Sequence, residues 1–580
     1  NFLSNKLRSR KSIPVMHDEN GKLFVTDNEK VTGFLSEFKK VFTHDDGILP
    51  PFKSCTNLCC DLNETDFAVD VVLKYLRKCN SQSAAGPDGL PGIFWHGLAT
   101  SLCKPLSILF IASYYAGKVP LQWKMSFIKP VHKKGDCSSF KNYRPIALTC
   151  VPCRVMESII KDRMVKHLED NKLLSPCQHG FRKHYSTGLQ ILECITDWTK
   201  AVELGDCVDV CYVDFARAFD SVSIPKLLHK ISAYGFKGNL LNWLTDFFSE
   251  RKLCVNINNV MSETITQTSG IAQGTSLGPL SFSLYINDLP LCLKFSICKL
   301  FADDAKLYFI HGPLASTDAF QSDLCALVHW SNMWQLTIAV SKTFMMYFGF
   351  HNKHRTYKLN GMDIVEQNVV RDLGVNIASD FSYHSHCIQV AKKANIIANA
   401  ILHSFVSQDI KIYMQAFYSY VRPIVEFNCY VWSPTLCCDI DLIENVQKCF
   451  TRRVFKKCNL PRLSYLDRLA FINCDTLEKR RLYISLSNFY NIFNNNVCCN
   501  ILEGFHSSLS HLRGNACRLF VPFCKTSVRK NFFTLRLLPL WNALPRHAGT
   551  GGAAGAAAPL PCNSGGKGAV KCPFYRKIVY

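Results

Sequence analysis

The sequence is short of acidic residues. Across 580 residues, 45 Asp and Glu stand against 67 Lys and Arg, which leaves a formal net charge of +22. Such an imbalance commonly indicates a polyanionic partner such as RNA or DNA. A membrane surface or simple solubility would also account for it. The charge therefore favours a nucleic-acid partner without fixing one.

A long apolar run is also missing. The longest one of note, residues 106–116, is bounded by Lys104 and Lys118 and is shorter than the roughly 20 residues that span a bilayer as a helix. We interpret it as a core helix and expect no membrane partner. The first residues include neither an initiator Met nor an apolar signal region, so an intracellular fragment or partial gene product is expected.

The pattern of a structural zinc site is absent as well. The 29 cysteines are scattered, and no C-x-x-C pair is matched by a second pair or by two suitably spaced histidines. Zinc sites of the common structural kinds need such a match. We therefore expect mostly free, buried thiols, as in other intracellular chains.

Composition and periodicity divide the chain into six regions. Short β-like runs alternate with helical patterns between 120 and 378, which predicts an α+β core. Residues 549–566 hold eleven Gly or Ala in eighteen positions, a composition that cannot bury a core. The predicted regions are 1–60 (connector or N-terminal extension), 61–119 (helical lead-in), 120–378 (α+β core), 379–492 (helical and basic), 493–548 (C-terminal region) and 549–580 (disordered Gly/Ala-rich tail).

The helical region carries a dense basic stretch. Between 445 and 481 there are ten Lys or Arg against three acidic residues, a net charge of +7. This balance fits contact with phosphates, while a solvated helix face is the alternative interpretation. The candidate nucleic-acid-binding residues are Arg452, Arg453, Lys456 and Lys457.

Three aspartates are the candidate catalytic residues. Asp214 directly follows the apolar run 208–213, whereas Asp303 and Asp304 lie between the apolar runs 300–302 and 307–309, in a predicted hairpin turn. Paired turn aspartates are commonly no more than solvated turn formers. A third carboxylate at the end of another strand changes the interpretation, because two hard divalent cations about 4 Å apart need carboxylates that converge from separate elements.

The segments around these aspartates resemble the palm motifs of reverse transcriptases, most closely those of non-LTR retrotransposons of the jockey-like branch. The palm-like segments are 213–220 (VDFARAFD), 270–280 (GIAQGTSLGPL) and 301–304 (FADD). Segments that resemble other blocks of the same family are 83–89 (SAAGPDG), 142–148 (NYRPIAL), 178–182 (QHGFR), 421–427 (VRPIVEF), 431–434 (VWSP) and 540–545 (LWNALP). The resemblance covers about 60–548, and the order of so many blocks makes it specific.

The resemblance implies a right-hand polymerase, with fingers near 120–205, a palm near 206–378 and a helical thumb beyond. In that family Asp214, Asp303 and Asp304 would hold two Mg²⁺ ions, for which Mn²⁺ is a possible substitute. One ion would lower the pKa of the primer 3′-hydroxyl and the other would neutralise the incoming triphosphate. The implied partners are an RNA template, a DNA primer or target and deoxynucleoside triphosphates.

Further roles follow from the same resemblance. Phe219 matches the steric-gate position, where an aromatic ring excludes a ribose 2′-hydroxyl. Gln273 and Gly274 match positions that contact the nucleotide, and glycine suits a close backbone approach because it has no Cβ.

The resemblance also suggests cationic residues that act on the triphosphate. Arg144, together with Lys129 or Lys133, would clamp it, since a guanidinium binds phosphate oxygens bidentately. Lys342 would protonate the leaving pyrophosphate. Without the resemblance, Lys129, Lys133 and Lys342 would be interpreted as ordinary surface lysines.

The sequence departs from the family pattern at Ala272, Thr275, Ser281 and Val340, although none of these is a predicted metal ligand. The leading hypothesis is an RNA-directed DNA polymerase that works by target-primed reverse transcription, with nuclear residence implied. An inactive retrotransposon remnant that only binds nucleic acid is the alternative, and an RNA-directed RNA polymerase is disfavoured by Phe219. The family's N-terminal endonuclease is missing, so this chain alone is not expected to nick DNA.

Overall fold

A computed structural model of the chain describes residues 13–53, 58–316, 318–499, 501–502 and 518–544. The predicted disordered tail at 549–580 lies outside the described residues. The helices are α1 (Asp27–Lys39), α2 (Val69–Lys78), α3 (Gly92–Gly97), α4 (Ala99–Ala116), α5 (Leu121–Lys124), α6 (Val151–Asp170), α7 (Thr187–Leu204), α8 (Ala218–Ser221), α9 (Ile224–Ala233), α10 (Gly238–Phe248), α11 (Gly278–Ile286), α12 (Asp318–Met333), α13 (His384–Ser404), α14 (Ile410–Ala416), α15 (Arg422–Glu426), α16 (Cys429–Trp432), α17 (Cys437–Lys457), α18 (Tyr465–Phe471), α19 (Leu477–Phe493), α20 (Ser527–Asn531) and α21 (Phe533–Ala543).

The strands of the fold are mostly short. They are β1 (Met16–His17), β2 (Leu23–Phe24), β3 (Met125–His132), β4 (Tyr143–Leu148), β5 (Cys207–Val213), β6 (Lys252–Ile257), β7 (Val260–Met261), β8 (Ile265–Thr266), β9 (Ile297–Phe301), β10 (Asp304–His311), β11 (Phe344–Phe348), β12 (Lys358–Leu359), β13 (Met362–Asp363), β14 (Val365–Glu366), β15 (Val369–Asp372) and β16 (Val375–Ala378). The predicted mixture of strands and helices between 120 and 378 is confirmed.

A five-stranded central sheet has the order β14-β11-β5-β10-β9. Its middle strand β5 is buried along its whole length and pairs antiparallel with both β10 and β11. Successive side chains of a strand point to opposite faces. Val208 and Val210 accordingly pack into a core shared with the C-terminal helices, while Cys211 and Val213 pack into a core shared with α4 and α6. Burial on both faces explains why β5 reads as an almost continuous apolar run.

A second sheet has the order β4-β3-β6-β7, with β8 also paired to β6. Helix α1 covers it, and Val31, Phe34 and Phe38 of the helix share a core with Ile128 and Val255 of the sheet. The helix begins at Asp27 because Thr26 and Glu29 form a reciprocal capping box, which satisfies its first free N–H groups. Helix α1, which belongs to the predicted connector or extension, is thus packed against this sheet, whereas Asp45, Asp46 and Phe52 contact α9 or the residues at its ends.

The region predicted to be helical, 379–492, contains helices α13 to α19. Ile443, Val446, Phe450 and Val454 form an apolar stripe on α17, and all four are buried. Helix α4 contains the apolar run 106–116, and its buried Phe110 and Tyr114 bear out the prediction of a core helix. Within the described ranges, no helix combines the length and the apolar character needed to cross a bilayer.

Candidate active site

The central sheet brings the three predicted aspartates to one end. In the antiparallel register Ala305 pairs with Val213, so Asp304 and Asp214, one step further along, face each other across the end of the ladder. Asp303 lies in the loop between the paired residues Phe301 and Asp304. Directly opposed residues of an antiparallel pair have Cβ atoms only about 5 Å apart. The strand end that carries Asp214 and the hairpin turn that carries Asp303 and Asp304 therefore lie at the same end of the sheet.

The β9–β10 turn is a tight two-residue loop. Its first residue, Ala302, has a φ of +55°. This value lies in the left-handed region, which residues other than glycine rarely adopt. A positive φ at the first loop position is typical of a type II′ hairpin turn, whose twist matches that of its strands. The left-handed residue immediately precedes Asp303.

The pKa values of Asp303 and Asp304 are both raised at this end of the sheet. Burial raises the pKa of Asp303, and the charge of Asp214 raises it further. The pKa of Asp304 is raised to about 6, first by desolvation and then by Asp303, Asp372 and Asp214. Asp304 is an exposed residue, but it lies in a concave, crowded end of the sheet where part of its hydration is lost. The site thus concentrates negative charge, which is the condition that favours a bound cation.

Lys133 and Arg144, which lie at the β3–β4 hairpin of the second sheet, act electrostatically on the Asp303 carboxylate. The charges of Lys133 and Arg144 both lower the pKa of Asp303, and Arg144 stands opposite Val131 in the β3–β4 ladder. Desolvation and the nearby Arg144 lower the pKa of Lys133, against the influence of Asp214. Lys129 is exposed on β3, opposite Ile146, and no contact within the described residues joins it to the carboxylates.

Lys342 lies close to the same centre. It ends a 3₁₀ turn, Val340–Lys342, which is tied to the end of β5 because the Ala339 N–H donates to the Asp214 carbonyl at 2.7 Å. The Lys342 side chain is exposed and its charge lowers the pKa of Lys133. The structure therefore brings this predicted residue to the site as well.

Phe219 is half-buried at the edge of the site. Its ring stacks on Phe282 with centroids 4.4 Å apart and meets the exposed Phe181 edge-on at 6.5 Å. The Phe219 carbonyl accepts a hydrogen bond from the Ile271 N–H at 2.7 Å. The ring is thus braced on one face by the core, which gives it a fixed position beside Asp214.

The loop at 273–274 contacts β4 of the second sheet and Asp220 of α8, the short helix that follows β5. Gly274 has a φ of +126°, and a Cβ there would lie 2.3 Å from the Ala147 carbonyl oxygen of β4, so only glycine fits. The Gln273 carbonyl accepts from the Ala147 N–H at 2.7 Å. The Gln273 side chain donates to Asp220 at 3.3 Å, a partner that the sequence did not predict. Desolvation raises the pKa of Asp220 to about 6, and the bond from Gln273 and the charge of Arg217 oppose this shift.

The four predicted nucleic-acid-binding residues of α17 fall into two pairs. Arg452 and Lys456 are exposed, and neither has a hydrogen-bond or ion-pair partner in the described part of the chain. Arg453 instead donates to Asn399. Lys457 donates to the carbonyls of Leu402 at 2.6 Å and Phe405 at 2.5 Å, near the C-terminal end of α13.

Two residues that the sequence analysis left without a role contact the catalytic turn. The buried carboxamide of Gln178 bonds to both backbone polar groups of Ala302, and Gly180 lies against the same residue. The QHGF block was visible in the sequence, but only the fold shows that it contacts the turn. Within the described residues, no three His, Cys, Asp or Glu side chains are already gathered closely enough to hold a metal ion.

Comparisons with known proteins agree with this geometry. Residues 131–377 match the family described as reverse transcriptase (RNA-dependent DNA polymerase). Three relatives come from Drosophila melanogaster. The probable RNA-directed DNA polymerase from transposon BS is 23% identical, over 55% of this chain and 36% of the relative. The RNA-directed DNA polymerase from mobile element jockey is 25% identical, over 56% of this chain and 36% of the relative, and the probable RNA-directed DNA polymerase from transposon X-element is 24% identical, over 68% of this chain and 44% of the relative. The chain thus spans less than half the length of each of these relatives.

Proposed function

We propose that this chain, in which residues 131–377 form a reverse transcriptase domain related to those of non-LTR retrotransposons, is an RNA-directed DNA polymerase that extends a DNA 3′ end on an RNA template. The observation that carries the proposal is the meeting of Asp214, Asp303 and Asp304 at one end of the central sheet, with Lys133 and Arg144 acting electrostatically on Asp303. Such an arrangement places hard oxygen ligands beside phosphate-binding cations, which phosphoryl transfer requires.

We assign the parts of a right-hand polymerase to the fold as follows. The second sheet, with Arg144 and Lys133, corresponds to the fingers, and the central sheet corresponds to the palm. The helices between 379 and 492 correspond to the thumb. The loop at 273–274 supports this assignment, since it bonds both to Ala147 of the second sheet and to Asp220 of α8, the helix that follows Asp214.

Asp214, Asp303 and Asp304 would hold two Mg²⁺ ions. Their oxygen donors suit this metal, and none of the three carboxylates has an ion-pair partner among the described residues, so their charge is available to a cation. When bound, the metal supplies charge neutralisation at the triphosphate and a more acidic primer 3′-hydroxyl. Because the three carboxylates are not yet gathered into a ligand set, we expect the site to close when substrate and metal arrive together.

The other residues position and select the nucleotide. Arg144 and Lys133 would bind the triphosphate oxygens, with Lys129 further along the same sheet, and Lys342 would donate a proton to the departing pyrophosphate. The ring of Phe219, held against Phe282, would block a 2′-hydroxyl and so favour deoxynucleotides. Gln273 and Gly274 would contact the nucleotide through the loop beside β4.

The exposed pair Arg452 and Lys456 would bind the backbone of the template–primer duplex. Their side chains have no partner in the described part of the fold, whereas Arg453 and Lys457 already bond to α13 or to the residues after it. Insertion by target-primed reverse transcription and residence in the nucleus remain expectations from the resemblance.

Primer extension tests the proposal. Purified protein, an RNA template with an annealed DNA primer, Mg²⁺ and the four deoxynucleotides should give extended DNA, and ribonucleotides should give little product. A DNA template of the same sequence and an unprimed RNA are the controls. Folded protein that binds the duplex but adds no nucleotide would refute the polymerase and support a remnant that only binds nucleic acid.

A further inference from the structure

The segment 177–180 lies alongside the outer strand of the candidate catalytic hairpin. The His179 N–H donates to the Leu300 carbonyl at 2.8 Å, and the Leu300 N–H donates to the Cys177 carbonyl at 2.9 Å. Gln178 therefore sits opposite Leu300 as in a parallel bridge. This pairing extends the central sheet by a short stretch of chain that begins next to the turn holding Asp303.

The side chain of Gln178 reaches the turn itself. Its Oε1 accepts hydrogen bonds from the Gly180 N–H at 2.7 Å and the Ala302 N–H at 3.0 Å, and its Nε2 donates to the Ala302 carbonyl at 3.4 Å. Gln178 is 1% exposed and Ala302 is 6% exposed. One buried carboxamide thus satisfies both backbone polar groups of Ala302.

Ala302 is the residue that most needs this support. Its φ of +55° is unfavourable for a side chain with a Cβ, and such conformations persist only where the surroundings fix them. A rotation of the Ala302 backbone would turn the next residue, Asp303, away from Asp214. The contacts of Ala302 therefore decide where a candidate metal ligand points.

We propose that Gln178 is a positioning residue that locks the left-handed conformation of Ala302 and thereby aims Asp303 and Asp304. Its effect on catalysis rests on the proposed polymerase function, whereas its effect on the turn does not. No catalytic role is assigned to Gln178, because it is bonded to the backbone and not to the reacting groups.

The contacts require a primary amide at this position. A Glu at 178 could accept the two N–H groups but could not donate to the Ala302 carbonyl, and an Asn would be one methylene too short. A Met has a similar length but leaves three buried backbone groups without a partner, which is costly in a region closed to water.

Gly180 supplies a second, purely steric route to the same turn. Its φ lies outside the left-handed region, but a Cβ would lie 2.3 Å from the Ala302 nitrogen. Gly180→Ala should therefore displace the turn without removing the Gln178 carboxamide, although the added Cβ would also lie 3.0 Å from its Oε1. The two variants disturb one structure by different means.

Hydrogen exchange tests the lock without any use of activity. In Gln178→Met, the Ala302 amide should exchange about 10-fold faster than in the wild type, because its acceptor is gone. Gln190→Met is the matched control, since Gln190 is also 1% exposed and its Nε2 has no partner among the described residues. Unchanged exchange at Ala302 in Gln178→Met, or an equal increase in Gln190→Met, would overturn the lock.

Kinetics test the positioning role. Both Gln178→Met and Gly180→Ala should lower kcat for nucleotide addition about 10- to 100-fold, with the deoxynucleotide KM changed by less than about 3-fold. The half-saturating Mg²⁺ concentration should rise in both variants. Faster exchange with unchanged kcat and Mg²⁺ dependence would overturn the positioning role. Absence of DNA synthesis by the wild type would instead refute the proposed function, and the exchange result would still decide the lock.

Discussion

The active-site end of the central sheet and the basic helical region at 379–492 use charge in opposite ways. At the sheet, Asp214, Asp303 and Asp304 have no ion-pair partner within the described residues, and the side chains of Arg144 and Lys133 are exposed towards them. In the helical region, half of the ten basic side chains between 445 and 481 already bond to other residues: Arg453, Lys457, Arg468, Lys479 and Arg480. The charges of the first region thus have no ion-pair partner among the described residues, whereas half of the basic side chains of the second bond within the fold.

Three arginines of this region are either bonded or buried. Arg468 is buried and donates to the Leu463 carbonyl at 2.8 Å, and Arg480 donates to Glu426 at 3.2 Å. Arg481 is 1% exposed, although its guanidinium nitrogens have no hydrogen-bond partner among the described residues. None of these guanidinium groups is free to contact phosphate. The net charge of +7 between 445 and 481 therefore overstates the basic surface, which on α17 is represented by Arg452 and Lys456.

The largest effect should come from removing a candidate metal ligand. Asp303→Asn and Asp214→Asn should each lower nucleotide addition on an RNA template by about 10³-fold or more, because a lost carboxylate forfeits several kcal/mol of charge stabilisation. Asp363→Asn, at an exposed hairpin position, is the control and should retain activity. Activity of the Asp303 variant within 10-fold of that control would break the contrast between the two regions.

A smaller effect is expected from the steric gate. Phe219→Ala should raise the use of ribonucleotides relative to deoxynucleotides by about 10- to 100-fold, the range available to a single steric contact. The ratio of kcat/KM for the two substrates measures it, with Phe350→Ala, an 82% exposed ring, as the control. An unchanged ratio in folded Phe219→Ala protein would mean that the ring is only a core residue stacked on Phe282.

The loop at 273–274 should be sensitive to a single methyl group. Gly274→Ala adds a Cβ against the Ala147 carbonyl at a φ of +126°, and we expect a loss of about 1–3 kcal/mol in unfolding free energy. Gly361→Ala is the matched control, because Gly361 also has a positive φ but no atom within 4 Å of the added Cβ. Equal losses in the two variants, measured by denaturant unfolding, would show that the contact with β4 adds nothing to the strain.

The smallest effects should separate the two basic pairs of α17. Replacement of Arg452 and Lys456 by Gln should weaken duplex binding and reduce the slope of log affinity against log salt by about 2, one for each lost phosphate contact. The same change at Arg453 and Lys457 should instead lower thermal stability and leave that slope nearly unchanged. Fluorescence anisotropy at several salt concentrations gives the slopes, and identical slopes for both double variants would contradict the division.

The positions of the three aspartates in the fold could be predicted from the sequence better than the surroundings of the basic residues, and the reason is physical. Asp214 and the 301–304 turn are placed by strand periodicity and hairpin geometry, which are local properties. Arg453 and Lys457 have the same local pattern as Arg452 and Lys456, and only packing against α13 tells them apart. The contact of Gln178 with Ala302 joins residues 124 positions apart, so no local rule could predict it.

The N-terminal region shows the same limit. The spacing of Val31, Phe34 and Phe38 on one face of α1 is a local property of the sequence, but the strands of the sheet that the helix covers lie roughly 90 to 230 positions further along the chain. An amphipathic pattern predicts that a face will be buried. The pattern does not show which part of the chain will cover that face.

We propose above all that Asp214, Asp303 and Asp304, which have no ion-pair partner among the described residues, bind two divalent ions. Electron paramagnetic resonance can count Mn²⁺ bound to the protein with an RNA template, a dideoxy-terminated DNA primer and the next deoxynucleotide. The wild type should bind two Mn²⁺ ions. Asp303→Asn loaded in the same way should bind fewer ions, or should bind at least one of the two with clearly lower affinity. Equal numbers and affinities of bound Mn²⁺ in the two proteins, with DNA synthesis intact in the variant, would contradict the account.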